Sequence, residues 1–137
     1  MGLTHLDAGV VIGFLDPGDL HHSTASQLVR TVAGDGDRLA MSASVLAETL
    51  VGPFRRGPAA VDLVHRFVAT VPVDVVPMTA EIAATAAGLR ASHPSLRLPD
   101  ALVIATAADG GADRLATTDR GWPGAAALDL DLDIVVL

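Results

Sequence analysis

A regular alternation of short strand-like segments with longer helix-like segments constrains the fold of this chain more than any other feature. The segments with strand character are residues 2–6, 38–41, 73–76, 114–117 and 134–137. Between them, apolar side chains recur with the period of a helix, as in residues 8–15 and 58–71. Such alternation predicts an α/β fold with a mainly parallel central sheet flanked by helices.

Turn and capping signals give the expected ends of several helices. Asp19 follows a Pro-Gly turn and is a plausible cap for a helix over residues 20–33. The pair Gly52-Pro53 predicts the end of the helix that begins near residue 42, because proline cannot donate the next backbone hydrogen bond. Pro99 is suited to the first turn of a late helix that ends near residues 110–111.

The length and composition predict one domain over residues 1–137. The chain has 137 residues, of which 50% are hydrophobic, enough for one sizeable core and too few for two ordinary domains. No apolar run approaches the roughly 18 to 20 residues that cross a bilayer, and no signal-peptide pattern is present, so we expect a cytoplasmic protein with no membrane contact. The absence of cysteine agrees with a reducing compartment and excludes disulfides, thiolate zinc sites and a cysteine nucleophile.

The basic residues exclude several function classes. All 9 are arginines, so the lysine required by a Walker A loop, a Schiff-base enzyme or a phosphoacceptor receiver domain is missing. The formal charge of −7 repels nucleic acid, which would therefore need a local arginine patch or a bound metal. With 3 phenylalanines, 1 tryptophan and no tyrosine, a base-stacking platform is not expected.

Four acidic residues follow predicted strands or lie in the helices after them: Asp7, Glu48, Asp100 and Asp119. In parallel sheets the ligand site lies beyond the carboxyl ends of the strands, so these side chains are expected to share one edge. A pocket of up to four carboxylates needs cations, and Mg²⁺ prefers oxygen ligands with several positions left for water. A bound ion would activate water for attack on a phosphodiester.

Each of these acids also has a purely structural interpretation. Asp7 is a possible cap for the helix that starts near residue 8, and a lone glutamate such as Glu48 is usually a solvated helix residue. Asp100 lies in a first helical turn, where any acid interacts favourably with the helix dipole. Asp119 fits a turn in which it pairs with Arg120.

Four motifs together favour the functional interpretation. They are LDA at residues 6–8, SVLAE at 44–48, LPDALVIA at 98–105 and ATTD at 116–119. In their order and spacing the sequence resembles a PIN domain, and most of all the toxin of a VapBC toxin–antitoxin module. The resemblance extends over essentially the whole chain, although each motif alone is weak.

The resemblance implies a Rossmann-like fold and a metal-dependent endoribonuclease that uses Mg²⁺ or Mn²⁺. The catalytic metal ligands would be Asp7, Glu48, Asp100 and Asp119. Thr117 matches a hydroxyl position near the site, and Arg97 and Arg120 are candidates to contact RNA because they lie close in sequence to Asp100 and Asp119. The resemblance also implies a homodimer, a cognate antitoxin that wraps the domain and blocks the site, and structured cellular RNA such as tRNA or rRNA as substrate.

The sequence departs from the family pattern at one position, and two alternative functions remain open. Gly9 stands where the family often has serine or threonine, so a hydroxyl that supports the metal site is missing at that position. The first alternative is a non-catalytic PIN-like module that binds RNA or protein. The second is a haloacid-dehalogenase-type phosphohydrolase with Asp7 as nucleophile, which would need an acid at position 9 and a lysine.

Overall fold

Strands and helices alternate along residues 2–137, which the computed structural model describes. The strands are β1 (Leu3–Leu6), β2 (Arg38–Ser42), β3 (Val73–Val76), β4 (Arg114–Thr117) and β5 (Asp133–Val136). The helices are α1 (Ala8–Leu15), α2 (His22–Gly34), α3 (Ala43–Arg56), α4 (Pro58–Thr70), α5 (Ala80–Ser92) and α6 (Leu98–Asp109). The predicted α/β pattern is therefore confirmed, except that no helix lies between β4 and β5.

The five strands form one sheet in the order β3-β2-β1-β4-β5, and every neighbouring pair is parallel. The chain builds outward from β1 through β2 and β3 on one side, and then returns to add β4 and β5 on the other. The strand order therefore reverses between β1 and β4. Loops that leave these two strands diverge, and the crevice between them is the usual ligand position in an open α/β sheet.

The core lies on both faces of the sheet and packs against β1, the central strand, and its neighbour β4. Leu6 on β1 and Leu115 on β4 are completely buried, as are Val10 on α1 and Ile104 on α6. Burial of each such side chain contributes about 1.5–3 kcal/mol to the free energy of unfolding. The residues that follow β1 and β4 are thus carried by two firmly packed strands.

Two predicted helix boundaries are wrong. Helix α3 continues past Pro53 to Arg56, and the chain turns only at Gly57, whose φ of 126° favours glycine. Pro53 is buried, so its packing offsets the one backbone hydrogen bond that its ring removes. Asp19 does not cap α2, because its carboxylate accepts the N–H of His21 and the helix begins only at His22.

Among the described residues, no helix combines the length and the apolar character needed to cross a membrane. The longest, α3, has 14 residues, whereas a span needs about 20.

Candidate metal centre

Asp7 lies directly after β1 and is both a helix cap and a member of the acidic site. Its backbone is extended, and Oδ1 accepts the N–H of Ala8 at 2.8 Å as α1 begins. Its own N–H donates to the carbonyl of Ala116 at 2.9 Å, which continues the β1–β4 pairing by one residue. Only 9% of the residue is exposed. The capping interpretation is therefore correct, but it uses only one of the two carboxylate oxygens.

Thr117 holds the other oxygen of Asp7. The register that pairs Leu6 with Ala116 brings Asp7 beside Thr117, the last residue of β4. The Thr117 hydroxyl is buried, donates to Asp7 Oδ2 at 2.7 Å, and accepts the N–H of Asp119 at 3.0 Å. One hydroxyl thus connects two of the predicted acids across the reversal in strand order.

Asp119 occupies a turn after β4. Its Oδ1 accepts the N–H of Gly121 at 2.8 Å, so the turn interpretation of this residue is right. The suggested pairing with Arg120 is wrong, because no ion pair joins these two residues in the part of the chain that the structure describes. Arg120 is exposed, and its predicted contact with RNA stays a prediction.

Asp100 lies in the first turn of α6, as predicted, and its side chain is 15% exposed. The Nε of Arg97 donates to Asp100 Oδ2 at 3.2 Å, a pairing that the spacing of three residues makes possible. This ion pair lies at the start of the helix, where the helix dipole also favours a carboxylate.

Glu48 lies on α3 and is exposed. Within residues 2–137 no side-chain hydrogen bond or ion pair uses its carboxylate, in agreement with the lack of a basic partner in the sequence. Partial loss of solvent raises the pKa of Glu48, and the carboxylates of Asp7 and Asp100 raise it further, whereas Arg97 lowers it. Glu48 therefore interacts electrostatically with two of the other three acids.

Burial raises the pKa of Asp7, and the negative charges of Asp100 and Asp119 act in the same direction. Hydrogen bonds from Thr117 and Ala8 oppose the shift, because they stabilise the ionised form. The structure thus brings the four acids into one electrostatic environment at the carboxyl edge of the sheet. An uncompensated cluster of this kind destabilises a fold.

Arg97 is the cation that faces this cluster. Its hydrogen bond with Asp100 raises the pKa of its guanidinium, and the charges of Asp100, Asp119 and Glu48 raise it further. With 74% of its side chain exposed, Arg97 remains in contact with solvent. The guanidinium of Arg97 interacts with three of the four carboxylates, so one positive charge does not balance the negative charge of the cluster.

The side chains are not yet arranged as a closed metal site. Across residues 2–137, no three histidine, aspartate or glutamate side chains surround a common point closely enough to hold an ion as they stand. Asp100 is turned toward Arg97, and Glu48 is free in solvent. The donors are all carboxylate oxygens, which suit Mg²⁺ or Mn²⁺. Binding of an ion would require these side chains to come closer together than they stand.

Comparison with known protein families identifies the family of this chain. The model of the PIN domain family matches residues 5–128. The chain belongs to the PIN-domain family. This assignment confirms the resemblance seen in the sequence and leaves the haloacid-dehalogenase alternative without support. No curated protein matches the PIN domain described here.

Several solved bacterial structures are similar to this PIN domain. VapBC2 from Rickettsia felis, bound to a promoter DNA fragment, has a TM-score of 0.75 at 15% identity, with 96% of each chain covered. VapC20 from Mycobacterium tuberculosis, a toxin that cleaves the sarcin–ricin loop, has a TM-score of 0.67 at 25% identity, with 82% of this chain and 86% of that chain covered. FitAcB from Neisseria gonorrhoeae has a TM-score of 0.71 at 20% identity, with 96% of each chain covered. The predicted VapC-type PIN fold is confirmed.

One residue of the site was not singled out from the sequence. A Cβ built on Gly9 would overlap the hydroxyl of Thr118, which therefore occupies the space of the missing side chain. Positions 9 and 118 are far apart in the chain, and only the β1–β4 pairing brings them together. The ATTD motif shows that Thr118 carries a hydroxyl, but it does not show that Gly9 lies beside it.

Proposed function

We propose that this PIN domain is a metal-dependent endoribonuclease that hydrolyses RNA phosphodiesters and acts as the toxin of a toxin–antitoxin module. The observation that carries the proposal is the hydrogen-bonded link between Asp7, Thr117 and Asp119 at the reversal in strand order, with Glu48 and Asp100 within electrostatic reach. A buried acid that remains in a negatively charged crevice is characteristic of a functional site.

Asp7, Glu48, Asp100 and Asp119 would hold Mg²⁺ or Mn²⁺. When bound, the ion supplies Lewis acidity, which lowers the pKa of water and neutralises charge on the phosphodiester. The chain supplies orientation: Thr117 and Ala8 fix both oxygens of Asp7, and the turn at Gly121 fixes Asp119. Asp100 and Glu48 are the adjustable ligands, because one is held only by an exposed arginine and the other lies in solvent.

RNA would approach along the side of the site that carries Arg97 and Arg120. Both arginines are exposed, and Arg97 already interacts with three of the acids. A chain with a net charge of −7 needs such local cations to hold a phosphate backbone. We propose structured cellular RNA, such as tRNA or rRNA, as the substrate class; VapC20, at 25% identity, is a sarcin–ricin-loop-cleaving toxin and supports this class. A cytoplasmic location follows from such a substrate.

The proposed partners are a cognate antitoxin and a second copy of the chain. An apolar groove between α1, α3 and α4 is lined by Ile12, Pro53 and Leu63, with Arg56 at its side. Ile12 and Leu63 are large exposed side chains, and such patches on a soluble domain mark interaction surfaces. We assign this groove to an apolar segment of the antitoxin, because one similar solved structure, from Klebsiella pneumoniae, is a toxin–antitoxin complex.

Incubation of the purified chain with total RNA and Mn²⁺ tests the proposal. The wild type should cut RNA only when metal is present, and both Asp7→Asn and Asp100→Asn should abolish cleavage. The matched control is Asp129→Asn, which changes an exposed acid outside the site at a φ of 55° that asparagine tolerates. Cleavage that continues in a chelator, or that survives in Asp7→Asn, would remove the assignment.

One observation favours the second candidate, a non-catalytic PIN-like module that binds RNA or protein. In the described residues the acids do not yet form a closed metal site. The same assay separates the two functions, because the non-catalytic module would bind RNA without metal-dependent cleavage.

A further inference from the structure

The hydroxyl of Thr118 fills the place of a side chain at position 9. A Cβ on Gly9 would overlap Thr118 Oγ1 and would lie 3.3 Å from Thr118 Cβ and 3.4 Å from its Cγ2. Gly9 is the second residue of α1, the helix that Asp7 caps. Serine or threonine at position 9 would place a hydroxyl oxygen in the first turn of α1. In this chain Thr118, the residue after β4, places its hydroxyl oxygen there instead.

Thr118 stands in the chain between Thr117 and Asp119, two residues of the acidic site. Thr117, one residue earlier, donates to Asp7, and Asp119, one residue later, is anchored by the Thr117 hydroxyl. The backbone on both sides of Thr118 is thus fixed, which restricts where its side chain lies. Thr118 is partly buried against the first turn of α1.

The Thr118 hydroxyl also has unused hydrogen-bonding capacity. The Thr117 hydroxyl makes two hydrogen bonds, whereas no side-chain hydrogen bond within residues 2–137 involves Thr118. A hydroxyl can donate one hydrogen bond and accept two. Thr118 precedes Asp119 and contacts the first turn of the helix that Asp7 caps, so its free capacity suits a water molecule that accompanies a divalent ion. Mg²⁺ and Mn²⁺ keep several waters in such sites.

We propose that Thr118 is a positioning residue for the metal centre, and that its hydroxyl replaces the one that Gly9 cannot supply. The inference rests on the proposed metal site. Groups that orient the ligands of a metal typically change its affinity by about 10- to 100-fold when they are removed. We therefore expect Thr118→Val to weaken Mn²⁺ binding about tenfold.

Two conservative variants separate this role from simple packing. Thr118→Val keeps the shape of the side chain and removes the hydroxyl, whereas Thr118→Ser keeps the hydroxyl and removes the methyl group. If Thr118 only filled space, valine would bind Mn²⁺ like the wild type and serine would be the weaker variant. If the hydroxyl positions the site, the order is reversed.

A second test moves the hydroxyl from position 118 to position 9 on α1. Gly9→Ser alone should bring its Cβ into the Thr118 hydroxyl and lower the Tm. With Thr118→Ala in the same chain the overlap is removed, because the nearest remaining atom is Thr118 Cβ at 3.3 Å. This double variant should recover most of the Mn²⁺ affinity that Thr118→Ala alone loses.

The experiment is a calorimetric titration of the full chain with Mn²⁺ for the wild type and these variants, with the Tm of each metal-free chain measured in parallel. Weaker binding by Thr118→Val at an unchanged Tm, normal binding by Thr118→Ser and recovery in the double variant support the proposal. Equal affinities of wild type and Thr118→Val overturn it and leave the nuclease proposal standing. Failure of the wild type to bind Mn²⁺ overturns both.

Discussion

The hydroxyl of Thr117 donates a 2.7 Å hydrogen bond to the carboxylate of Asp7 across 110 positions of sequence. Both side chains are buried, and the bond spans β1 and β4 where the strand order reverses. It stabilises the ionised form of an acid whose burial and acidic neighbours favour protonation. The pair therefore contributes both to the stability of the sheet edge and to the charge of the site.

Replacement of Thr117 by valine should remove this bond at nearly constant volume. We expect the metal-free chain to lose about 1–3 kcal/mol in its free energy of unfolding, because a buried carboxylate and the N–H of Asp119 each lose a partner. Urea denaturation at pH 7 measures the change. Thr117→Ser, which keeps the hydroxyl, is the control and should lose distinctly less. Equal losses in the two variants would mean that packing, and not the hydrogen bond, is the cause.

Asp7→Asn should separate stability from function. Because the folded-state pKa of Asp7 is raised, its charge at neutral pH works against folding, and a neutral side chain of equal size should stabilise the metal-free chain. Substitutions that remove a destabilising functional residue commonly raise the free energy of unfolding by about 0.5–2 kcal/mol. With saturating Mn²⁺ the wild type should become the more stable chain. Mn²⁺ at 100 times its Kd would stabilise only the wild type, by about 2.7 kcal/mol. Thermal melts with and without Mn²⁺ test this, and a metal-free Asp7→Asn chain less stable than the wild type would contradict it.

Because His5 is buried, it should lower the free energy of unfolding as the pH becomes acid. It is 1% exposed on β1, and burial together with the charge of Arg38 lowers its pKa to about 4, although Asp74 acts the other way. Since the unfolded chain binds a proton on this histidine near pH 6.5 and the folded chain only near pH 4, its contribution is present above pH 6.5 and is lost as the pH falls toward 4. The loss amounts to about 3 kcal/mol at most.

The raised pKa of Asp7 acts in the opposite direction in the same pH range, so the wild-type slope alone does not isolate His5. Urea denaturation between pH 7 and pH 4 should therefore compare the wild type with His5→Gln, which cannot titrate. The variant should lose less stability than the wild type as the pH falls. Parallel pH profiles would show that the histidine is not responsible.

Arg97→Gln should have opposite effects on metal and on RNA. Removal of the guanidinium frees Asp100 and takes away a positive charge that also acts on Asp119 and Glu48, so Mn²⁺ should bind more tightly. RNA should bind more weakly, and the slope of log K against log salt should fall by about one. Titrations with Mn²⁺ and with RNA at several salt concentrations measure both effects. Arg66→Gln, an exposed arginine on α4, is the control.

Leu63→Glu should prevent binding of the antitoxin without altering cleavage. Leu63 lines the groove between α1, α3 and α4 and is 47% exposed, so a charge there blocks an apolar partner and leaves the core intact. Co-purification with the protein encoded by the adjacent reading frame is the measurement. Leu20→Glu is the control, because Leu20 is 91% exposed and does not line this groove. Retention of the complex by Leu63→Glu would assign the groove to another partner.

The sequence alone determined the elements of this fold. Residues 73–76 and 114–117 were predicted as strands and are β3 and β4 with the same bounds, because apolar and β-branched runs act over a few neighbouring residues. The end of α3 was mispredicted, because the buried packing of Pro53 outweighs the local rule that proline ends a helix. The ion pair of Arg97, the residue before α6, with Asp100 was not predicted, although the two lie only three positions apart.

Only the tertiary structure decided how the acids relate to one another. Proximity in sequence suggested that Asp119 pairs with Arg120, but the folded chain anchors it through Thr117 and Gly121 instead. The contacts of Thr117 with Asp7 and of Thr118 with Gly9 depend on β4 lying beside β1 in one particular register. A shift of one residue would turn every side chain of the strand to the other face, and no local pattern contains that information. The residue types at the site are a property of the sequence, whereas their charges, partners and distances arise from the strand order.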